Sequence, residues 1–306
     1  MRHSVVIPLY NKEAYVKETL QSLYAQTKLP DELIIVDDAS TDKSLEVVKS
    51  FFNELPSSHQ TMQVELVSLK NNFGPGHARN IGFEKTNGEL ISFLDADDLY
   101  EPACLEKVNQ AMAEHGFDLL VLGIRLFPSG DVYPDLHALK HELEPVSPDV
   151  YEIPHPLRAV TSPHFIMGVG SNVVVKRKWL EPFRYNVQAL LNEGIDYWYR
   201  VVKNITTDPQ ARVGLLTGNY LQVREVPGSL SRKKYTHWKE LEMPPSLSRY
   251  QYSKDPYDRR LMRMLGERWM EHAMESLPSA RQKFLFMLHY RSLAGNFITR
   301  KFRQHK

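Results

Sequence analysis

Short apolar runs alternate with amphipathic segments over the first 127 residues, and this rhythm restricts the chain to few folds. One run, Leu33–Val36, is uniformly apolar, as in parallel strands that are covered on both faces. Between the runs, apolar residues recur at helical spacing, as in Val16, Leu20 and Leu23. We therefore predict a doubly wound α/β sheet of mostly parallel strands with right-handed crossovers. The predicted strands are 4–9, 33–36, 64–67, 90–94 and 119–122.

The alternation ends near Ser129. Residues 128–165 contain seven of the chain's 19 prolines, which predicts an irregular excursion over the surface. Regular structure is expected again in a helix over 196–203 and in three further strands, 172–175, 213–216 and 220–223. We accordingly divide the chain into three segments, 1–127, 128–232 and 233–306.

The end of the chain is basic, although the total charge nearly balances. The sequence has 38 Lys and Arg against 37 Asp and Glu, which excludes a protein that binds nucleic acid by bulk charge alone. Residues 257–306 have 11 Lys and Arg against 4 Asp and Glu. Two helical faces in this region carry apolar residues: Leu261, Leu265, Trp269 and Ala273 on the first, and Phe284, Met287, Leu288 and Leu293 on the second. Such helices either pack on the rest of the protein or lie on an anionic membrane, and the sequence leaves both open.

Cysteine content and the N-terminus favour a cytoplasmic location. Cys104 is the single cysteine, so neither an intrachain disulfide nor a Cys-based zinc site is available. No apolar run approaches the ~20 residues that span a bilayer, and the N-terminus lacks the features of a signal peptide. We expect a cytoplasmic protein, which becomes peripheral at the inner membrane face if the basic helices bind lipid.

Two groups of carboxylates follow predicted strands. Asp37 and Asp38 end the second strand, and Asp95, Asp97 and Asp98 follow the fourth. In an open parallel sheet, ligands bind at the carboxyl ends of the strands. Crowded carboxylates there need a compensating cation, and Mg²⁺ or Mn²⁺ is suited to one or two carboxylates together with substrate phosphates. The alternative is that these aspartates only cap helices and form turns.

A glycine-containing segment, residues 72–82, lies between the two carboxylate groups. Its glycines allow close approach of the backbone to a ligand, and the helix that follows offers its positive end. Arg79 adds donors that suit a carboxylate or a phosphate. The sequence has no Walker loop, and no Gly-x-Gly-x-x-Gly follows the first strand, so dinucleotide binding is not expected.

Four motifs in this order, residues 4–11, 32–42, 74–82 and 93–98, closely resemble those of the inverting family 2 glycosyltransferases with the GT-A fold. The resemblance covers residues 1–120 strongly and 165–232 moderately. It implies a GT-A domain with a C-terminal helical extension, in which residues 1–127 bind the nucleotide-sugar and 128–232 the acceptor. It further implies a metal-dependent hexosyl- or N-acetylhexosaminyl-transferase that uses Mn²⁺ or Mg²⁺. The donor would be a nucleotide-sugar, which we expect to be a UDP-sugar, and the acceptor a glycan or lipid-linked molecule of cell-surface polysaccharide biosynthesis.

The resemblance assigns the nucleoside pocket to Pro8, Tyr10 and Asp38. Tyr10 would lie against the base, and Asp38 would accept a hydrogen bond from a base N–H. Arg79 would approach either the diphosphate or Asp38. Without the resemblance, Tyr10 is equally well interpreted as a half-buried aromatic residue at a strand end, and Arg79 as part of a helix salt bridge.

The resemblance assigns the metal to the second carboxylate group. Asp95 would lie on the ribose side or act through water. Asp97 would be the direct ligand of Mn²⁺ or Mg²⁺, with Asp98 in support. The metal would neutralise the charge that grows on the departing nucleoside diphosphate.

The general base is predicted near the start of the later helix. Residues 191–200 resemble a family segment that usually contains Glu-Asp before an aromatic-rich helix, but Gly194 occupies the usual Asp position. Glu193 is the first choice for the base and Asp196 the second. The alternative is that Glu193 merely favours the positive end of the helix.

A late segment, residues 224–232, resembles the part of the family that closes over the diphosphate. Arg224, Ser229 and Arg232 would contribute there. Many relatives have a His where Val226 stands, so fewer protein ligands to the cation are expected here. The alternative is an ordinary glycine-containing turn after a strand.

Two other functions stay open. A sugar nucleotidyltransferase is also doubly wound and metal-dependent, but it would have a Gly-rich segment with Arg where this chain has Pro8–Lys12. A non-catalytic relative that binds nucleotide or glycan is compatible with Gly194 and Val226. The sequence reveals neither the acceptor nor the oligomeric state, and a homodimer is left open; nucleic acid is not expected as a partner.

Overall fold

The computed structural model describes residues 1–56, 62–165, 167, 170–187, 193–226, 234–295 and 297. They form two compact units. The first consists of the described parts of 1–160, 164–187 and 193–225, and the second of the described parts of 161–163 and 226–306. The segment boundaries predicted from the sequence stay predictions.

The first unit is built on one mixed sheet. Its strands in the described ranges are His3–Leu9 (β1), Glu32–Asp37 (β2), Gln63–Ser68 (β3), Leu90–Phe93 (β4), Leu99–Tyr100 (β5), Leu119–Phe127 (β6), Val132–Tyr133 (β7), Glu144–Ser147 (β8), Val150–Glu152 (β9), Val173–Lys176 (β10) and Val213–Arg224 (β11). The order is β3-β2-β1-β4-β10-β6-β11-β9-β8, with β5 paired to β11 and β7 to β6. Strands β3, β2, β1 and β4 are parallel, and so are β6 and β11. The predicted mostly parallel, doubly wound sheet is confirmed.

Two features of the sheet differ from the prediction. Strand β10 runs antiparallel between β4 and β6, a direction that apolar periodicity does not reveal. The two late strands predicted at 213–216 and 220–223 are one strand, β11, with an irregularity between Leu216 and Leu221. Gly218 has φ +102° within it, so the chain changes direction locally without leaving the sheet.

Helices cover the sheet, and two of them contain the predicted helical segments: α1 the face of Val16, Leu20 and Leu23, and α6 the stretch 196–203. Those of the first unit are Val16–Tyr24 (α1), Ser44–Glu54 (α2), Pro75–Lys85 (α3), Cys104–His115 (α4), Pro156–Val160 (α5) and Glu193–Ile205 (α6). All residues of β1 and β2 are buried. Gly82 allows α3 to lie directly on β1, because a Cβ at this position would be 2.2 Å from Cγ1 of Val6. The N-terminal end of α3 is thereby placed at the carboxyl edge of the sheet.

The proline-rich region is more regular than predicted. Strands β7, β8 and β9 and helix α5 lie within residues 128–165, where an irregular excursion was expected. Pro145 lies in β8, the last strand of the sheet path. A proline is tolerated in an edge strand because no neighbour needs its missing N–H on the open side.

The second unit is helical in its described part. It contains Pro245–Tyr250 (α7), Pro256–Ser276 (α8) and Ala280–His289 (α9). The first predicted apolar face is confirmed, since all four of its residues are buried in α8. The second was wrong in part: Phe284 and Leu288 are exposed, and Phe286, on the opposite side of α9, is buried instead. None of the helices described here is long and apolar enough to cross a membrane.

His3 makes the stability of the first unit depend on pH. Burial lowers the pKa of His3 to about 4, and its ring contacts Ser92 Oγ at 3.0 Å and Asn109 Nδ2 at 3.4 Å. Below pH ~6.5 the unfolded chain therefore binds a proton at His3 that the folded chain does not bind. The contribution of His3 to stability is complete above that pH and is lost as the pH falls towards 4. We expect the free energy of unfolding to fall by about 2–3 kcal/mol from this residue between pH 7.5 and 4.5.

Urea unfolding at both pH values measures this effect. The His3→Gln variant should lose much of the pH dependence, whereas His137→Gln, at an exposed position, should keep it. Equal pH dependence in the His3 variant and the unaltered protein would show that His3 is not responsible.

Candidate active site

The site lies in the first unit, at the carboxyl edge of the parallel strands. Asp38 directly follows β2, Tyr10 follows β1, and Asp95, Asp97 and Asp98 lie between β4 and β5. Strand β1 lies between β2 and β4. The ends of β2 and β4 are thus about 10 Å apart, two strand spacings, on the same edge. The two carboxylate groups predicted from the sequence therefore share one edge of the sheet.

Asp38 is buried and holds the loop that enters α3. Its carboxylate accepts hydrogen bonds from the backbone N–H of Phe73 at 3.1 Å and of Gly74 at 2.7 Å. Pro8, also buried, pairs with Val36 in the sheet, whereas Tyr10 is 41% exposed. This arrangement leaves the Tyr10 ring accessible to a ligand, while contact of Asp38 with a base stays a prediction.

Asp97 forms an ion pair with the ammonium of Lys12. Its side chain is only 14% exposed. Burial and the neighbouring Asp95 carboxylate raise the pKa of Asp97 despite the Lys12 charge. The charge of Lys12 therefore does not fully compensate the ionised Asp97 for burial and for its neighbour Asp95.

Asp98 is buried and engaged on both oxygens. The Ser171 hydroxyl donates to Oδ2 at 2.5 Å, and the backbone N–H of Arg224 donates to Oδ1 at 3.0 Å. Burial, followed by Asp95 and Asp97, raises the pKa of Asp98 well above its usual value. With these partners, Asp98 connects three distant parts of the chain and positions the segment that contains Asp97.

Arg79 on α3 is buried and forms an ion pair with the half-buried Asp95. Its Nη2 lies 2.7 Å from Asp95 Oδ1, and its guanidinium lies over the Tyr185 ring at 5.3 Å. The ion pair is thus with Asp95, and contact of Arg79 with a diphosphate or with Asp38 stays a prediction. The Ser171 hydroxyl accepts from the backbone N–H of Asp95 at 2.9 Å, so this turn is fixed from both sides.

Gly170 lies directly against the Asp95–Arg79 pair. A Cβ at Gly170 would lie 2.3 and 2.4 Å from the Asp95 carboxylate oxygens and 2.5 Å from Arg79 Nη2. Such distances do not occur in folded proteins, so any side chain at this position must displace the pair. Gly170 is therefore part of the site, although sequence analysis did not single it out.

Gly170→Ala is expected to cost about 1–3 kcal/mol of folding free energy and at least tenfold in binding of a ligand at this edge, because Asp95 and Arg79 must move. Urea unfolding and calorimetric titration measure the two effects. Gly295→Ala is the matched control, since a Cβ there meets nothing within 4 Å. If Gly170→Ala bound ligand as tightly as the control, the Asp95–Arg79 pair would have no part in the site.

Arg224 ends β11 against the same turn. Its Nε donates to the backbone carbonyl of Asp97 at 3.1 Å, and its guanidinium lies over the rings of Phe127 at 4.4 Å and Tyr15 at 5.0 Å. A further bond joins it to Glu18. Arg224 thus lies at the carboxylate group and supports the backbone there; its contact with a diphosphate stays a prediction.

The predicted base and closing-loop residues are described only in part. Glu193 is the first residue of α6, and its side chain lies outside the described residues. Asp196 is buried and pairs with Arg200 Nε at 3.2 Å, one turn along the helix. Ser229 and Arg232 lie outside the described residues.

Sequence reasoning missed Lys12, Gly170 and Ser171 as site residues. Lys12 had a readable signal, since it is a cation shortly after a strand whose neighbour ends in carboxylates. Gly170 and Ser171 had none, because strand pairing of β10 with β4 brings them to Asp95 and Asp98 from more than 70 positions away.

The carboxylates fit a hard divalent cation in their chemistry. The raised pKa values of Asp97 and Asp98 reflect burial and mutual repulsion that a cation would relieve. Within the described ranges, no three His, Cys, Asp or Glu side chains are placed to hold a metal by themselves. Mg²⁺ and similar ions that bind with substrate phosphates need only one or two carboxylates, which Asp97 and the adjacent Asp95 can supply.

Comparison of the sequence with known families identifies the family of this chain. The model of "Glycosyl transferase family 2" matches residues 4–183. A poly(ribitol-phosphate) β-N-acetylglucosaminyltransferase, TarS of Staphylococcus aureus, is 35% identical over 127 residues, which are 41% of this chain and 21% of that protein. The chain thus spans about a fifth of the length of this curated relative.

Solved structures show the same fold. The crystal structure of S. aureus TarS 1–349 in complex with UDP-GlcNAc has a TM-score of 0.67 at 19% identity, covering 100% of this chain and 93% of the other. The mannosyltransferase PcManGT from Pyrobaculum calidifontis, in complex with GDP-Man and Mn²⁺, has a TM-score of 0.57 at 18% identity, covering 97% and 84%. The predicted GT-A fold is confirmed.

Proposed function

Since the chain belongs to glycosyl transferase family 2, we propose that it transfers a sugar from a nucleotide-sugar to a glycan or lipid-linked acceptor with inversion at the anomeric carbon. One observation supports this proposal: at the carboxyl edge of the sheet, three carboxylates and two cations lie together, namely Asp95, Asp97 and Asp98 with Arg79 and Lys12. A diphosphate is the ligand that uses such a mixture of cations and metal-binding carboxylates.

The donor would lie along the carboxyl edge. The exposed Tyr10 ring would cover the base, and Asp38 keeps the loop before α3 in place beside it. We favour a UDP-sugar, and N-acetylglucosamine as the sugar, because the similar TarS acts as an N-acetylglucosaminyltransferase and its structure contains UDP-GlcNAc. Residues 1–127 would form the donor half and 128–232 the acceptor half, with 233–306 as an extension; the location would be cytoplasmic.

Asp97, with Asp95 beside it, would hold Mn²⁺ or Mg²⁺, and Asp98 would support the segment. The cation, when bound, neutralises charge on the departing nucleoside diphosphate. Lys12 adds a fixed positive charge next to Asp97. Arg224 fixes the backbone carbonyl of Asp97, so the carboxylate keeps its direction during the reaction.

The acceptor hydroxyl needs a general base on the side opposite the leaving group. Glu193, at the start of α6, is our first choice and Asp196 the second. The buried Asp196 already shares an ion pair with the half-buried Arg200, which favours a structural role for it and leaves Glu193 as the base.

Calorimetric titration tests the donor. We expect UDP to bind in the presence of Mn²⁺ at least tenfold more tightly than in its absence, and more tightly than GDP. Incubation with UDP-GlcNAc and Mn²⁺ should release UDP slowly, without an acceptor. If no nucleoside diphosphate binds, or if the protein instead releases pyrophosphate from UTP and a sugar phosphate, the proposed transfer is wrong.

A further inference from the structure

Two large apolar side chains lie exposed next to each other on α9. Phe284 and Leu288 are one helical turn apart, with exposed fractions of 60% and 57%. The opposite face of α9 is fixed, because Phe286 is buried against Trp269 with ring centroids 4.9 Å apart. Rotation of the helix to hide Phe284 and Leu288 would expose Phe286. Such a paired apolar surface on a fixed helix is typical of an interaction site.

Apart from the C-terminal carboxylate, the charged groups in and after α9 are all basic. Residues 276–306 contain seven Lys and Arg and no Asp or Glu. Arg281, one turn before Phe284, is exposed, and so is Arg291, just after α9. The apolar pair is thus flanked by positive charge along the helix, which is the composition of helices that lie in a lipid–water interface.

We propose that the outer face of α9 docks on an anionic lipid surface. Phe284 and Leu288 enter the boundary between headgroups and acyl chains, and Arg281 and Arg291 pair with negative headgroups. A second copy of this chain fits poorly, because it would bring the same positive charge to the contact. Nucleic acid would use the arginines but not the apolar pair. Docking is independent of the proposed sugar transfer.

Sedimentation of the full chain with lipid vesicles tests the proposal. We expect binding to vesicles with about one third phosphatidylglycerol, weakened by salt, and at least tenfold weaker binding to pure phosphatidylcholine. The double variant Phe284→Ser/Leu288→Ser should lose at least tenfold in binding to the anionic vesicles. Its melting temperature should stay the same, because both side chains are exposed.

Matched controls separate a focal surface from diffuse attraction. Val132→Ser, which removes an apolar side chain 54% exposed in the first unit, should bind vesicles normally. Arg281→Gln/Arg291→Gln should weaken binding more than Arg259→Gln/Arg260→Gln, which changes two exposed arginines at the start of α8. Unchanged binding of the Phe284/Leu288 variant would overturn the proposal. So would a dimer that this variant converts to a monomer, since a second copy would then occupy the face.

Discussion

Asp97→Asn is expected to reduce sugar transfer about a thousandfold, the scale seen when a group that stabilises transition-state charge is removed. The amide has nearly the same shape as the carboxylate but lacks the charge that a divalent cation needs. The loss should appear in kcat and in the Mn²⁺ dependence of UDP binding, and steady-state kinetics with calorimetry measures both. Binding of UDP without metal should change little.

The fold should survive this substitution. Burial and Asp95 raise the pKa of Asp97 in spite of its ion pair with Lys12. The ionised carboxylate is therefore disfavoured by folding. The contribution of Asp97 to the free energy of unfolding falls as the pH rises from the unfolded pKa near 3.8 through the higher folded pKa. At pH 8, the neutral amide should leave the melting temperature unchanged or higher.

Asp131→Asn is the control for Asp97→Asn, since Asp131 is an exposed aspartate that is not a member of the carboxylate group. It should keep full activity. Should Asp97→Asn retain more than a tenth of the activity while folded, the carboxylate group would not be the centre of the reaction. The non-catalytic interpretation would then gain support if UDP still bound.

Much of the fold could be predicted because its core strands are uniformly apolar. Strands β1 and β2 are buried on both faces, and a parallel position in the middle of a sheet is the setting that produces such a run. The direction of β10 could not be predicted, since an antiparallel central strand is equally apolar. Pro145 concealed β8, because proline indicates a loop unless the strand is known to be at an edge.

The site was predictable to the extent that strand order determines it. Adjacent parallel strands bring their carboxyl ends together, so Asp38 and Asp97 could be placed on one edge from local patterns alone. The supports of that edge come from β10 and β11, through Gly170, Ser171 and Arg224. Their contacts depend on long-range pairing, and a glycine required for space has no signature in a single sequence.

The outward face of α9 illustrates a different limit. Helical periodicity identified the apolar residues of α9 but predicted that Phe284 and Leu288 are buried. In the structure they are exposed, and Phe286 is buried against Trp269 and Tyr290. When a helix has apolar residues on two faces, the sequence alone does not show which face is buried. Packing against the aromatic side chains of the second unit decides between them, and the other face is left for a partner.

Glu193→Gln and Asp196→Asn are expected to separate catalysis from stability. If Glu193 is the base, its amide should lower kcat by about 10²–10⁴-fold and should change KM for the donor by less than about threefold. Asp196→Asn should instead cost about 1–3 kcal/mol of folding free energy, because it breaks the ion pair of the buried Asp196 with Arg200.

Single-turnover kinetics with a saturating UDP-sugar and urea unfolding measure the two effects on the same samples. Glu46→Gln is the control, because Glu46 is an exposed glutamate in the first turn of α2, and Glu193 is the first residue of α6. It tests whether loss of a charge at a helix N-terminus alone alters activity. The reverse result, with Asp196→Asn inactive but stable and Glu193→Gln active, would exchange the two roles. Carboxylates at positions i and i+3 lie on the same face of a helix, so either one could approach the same acceptor. Gly194 at the usual Asp position would then be explained by a base that has moved one helical turn, to Asp196.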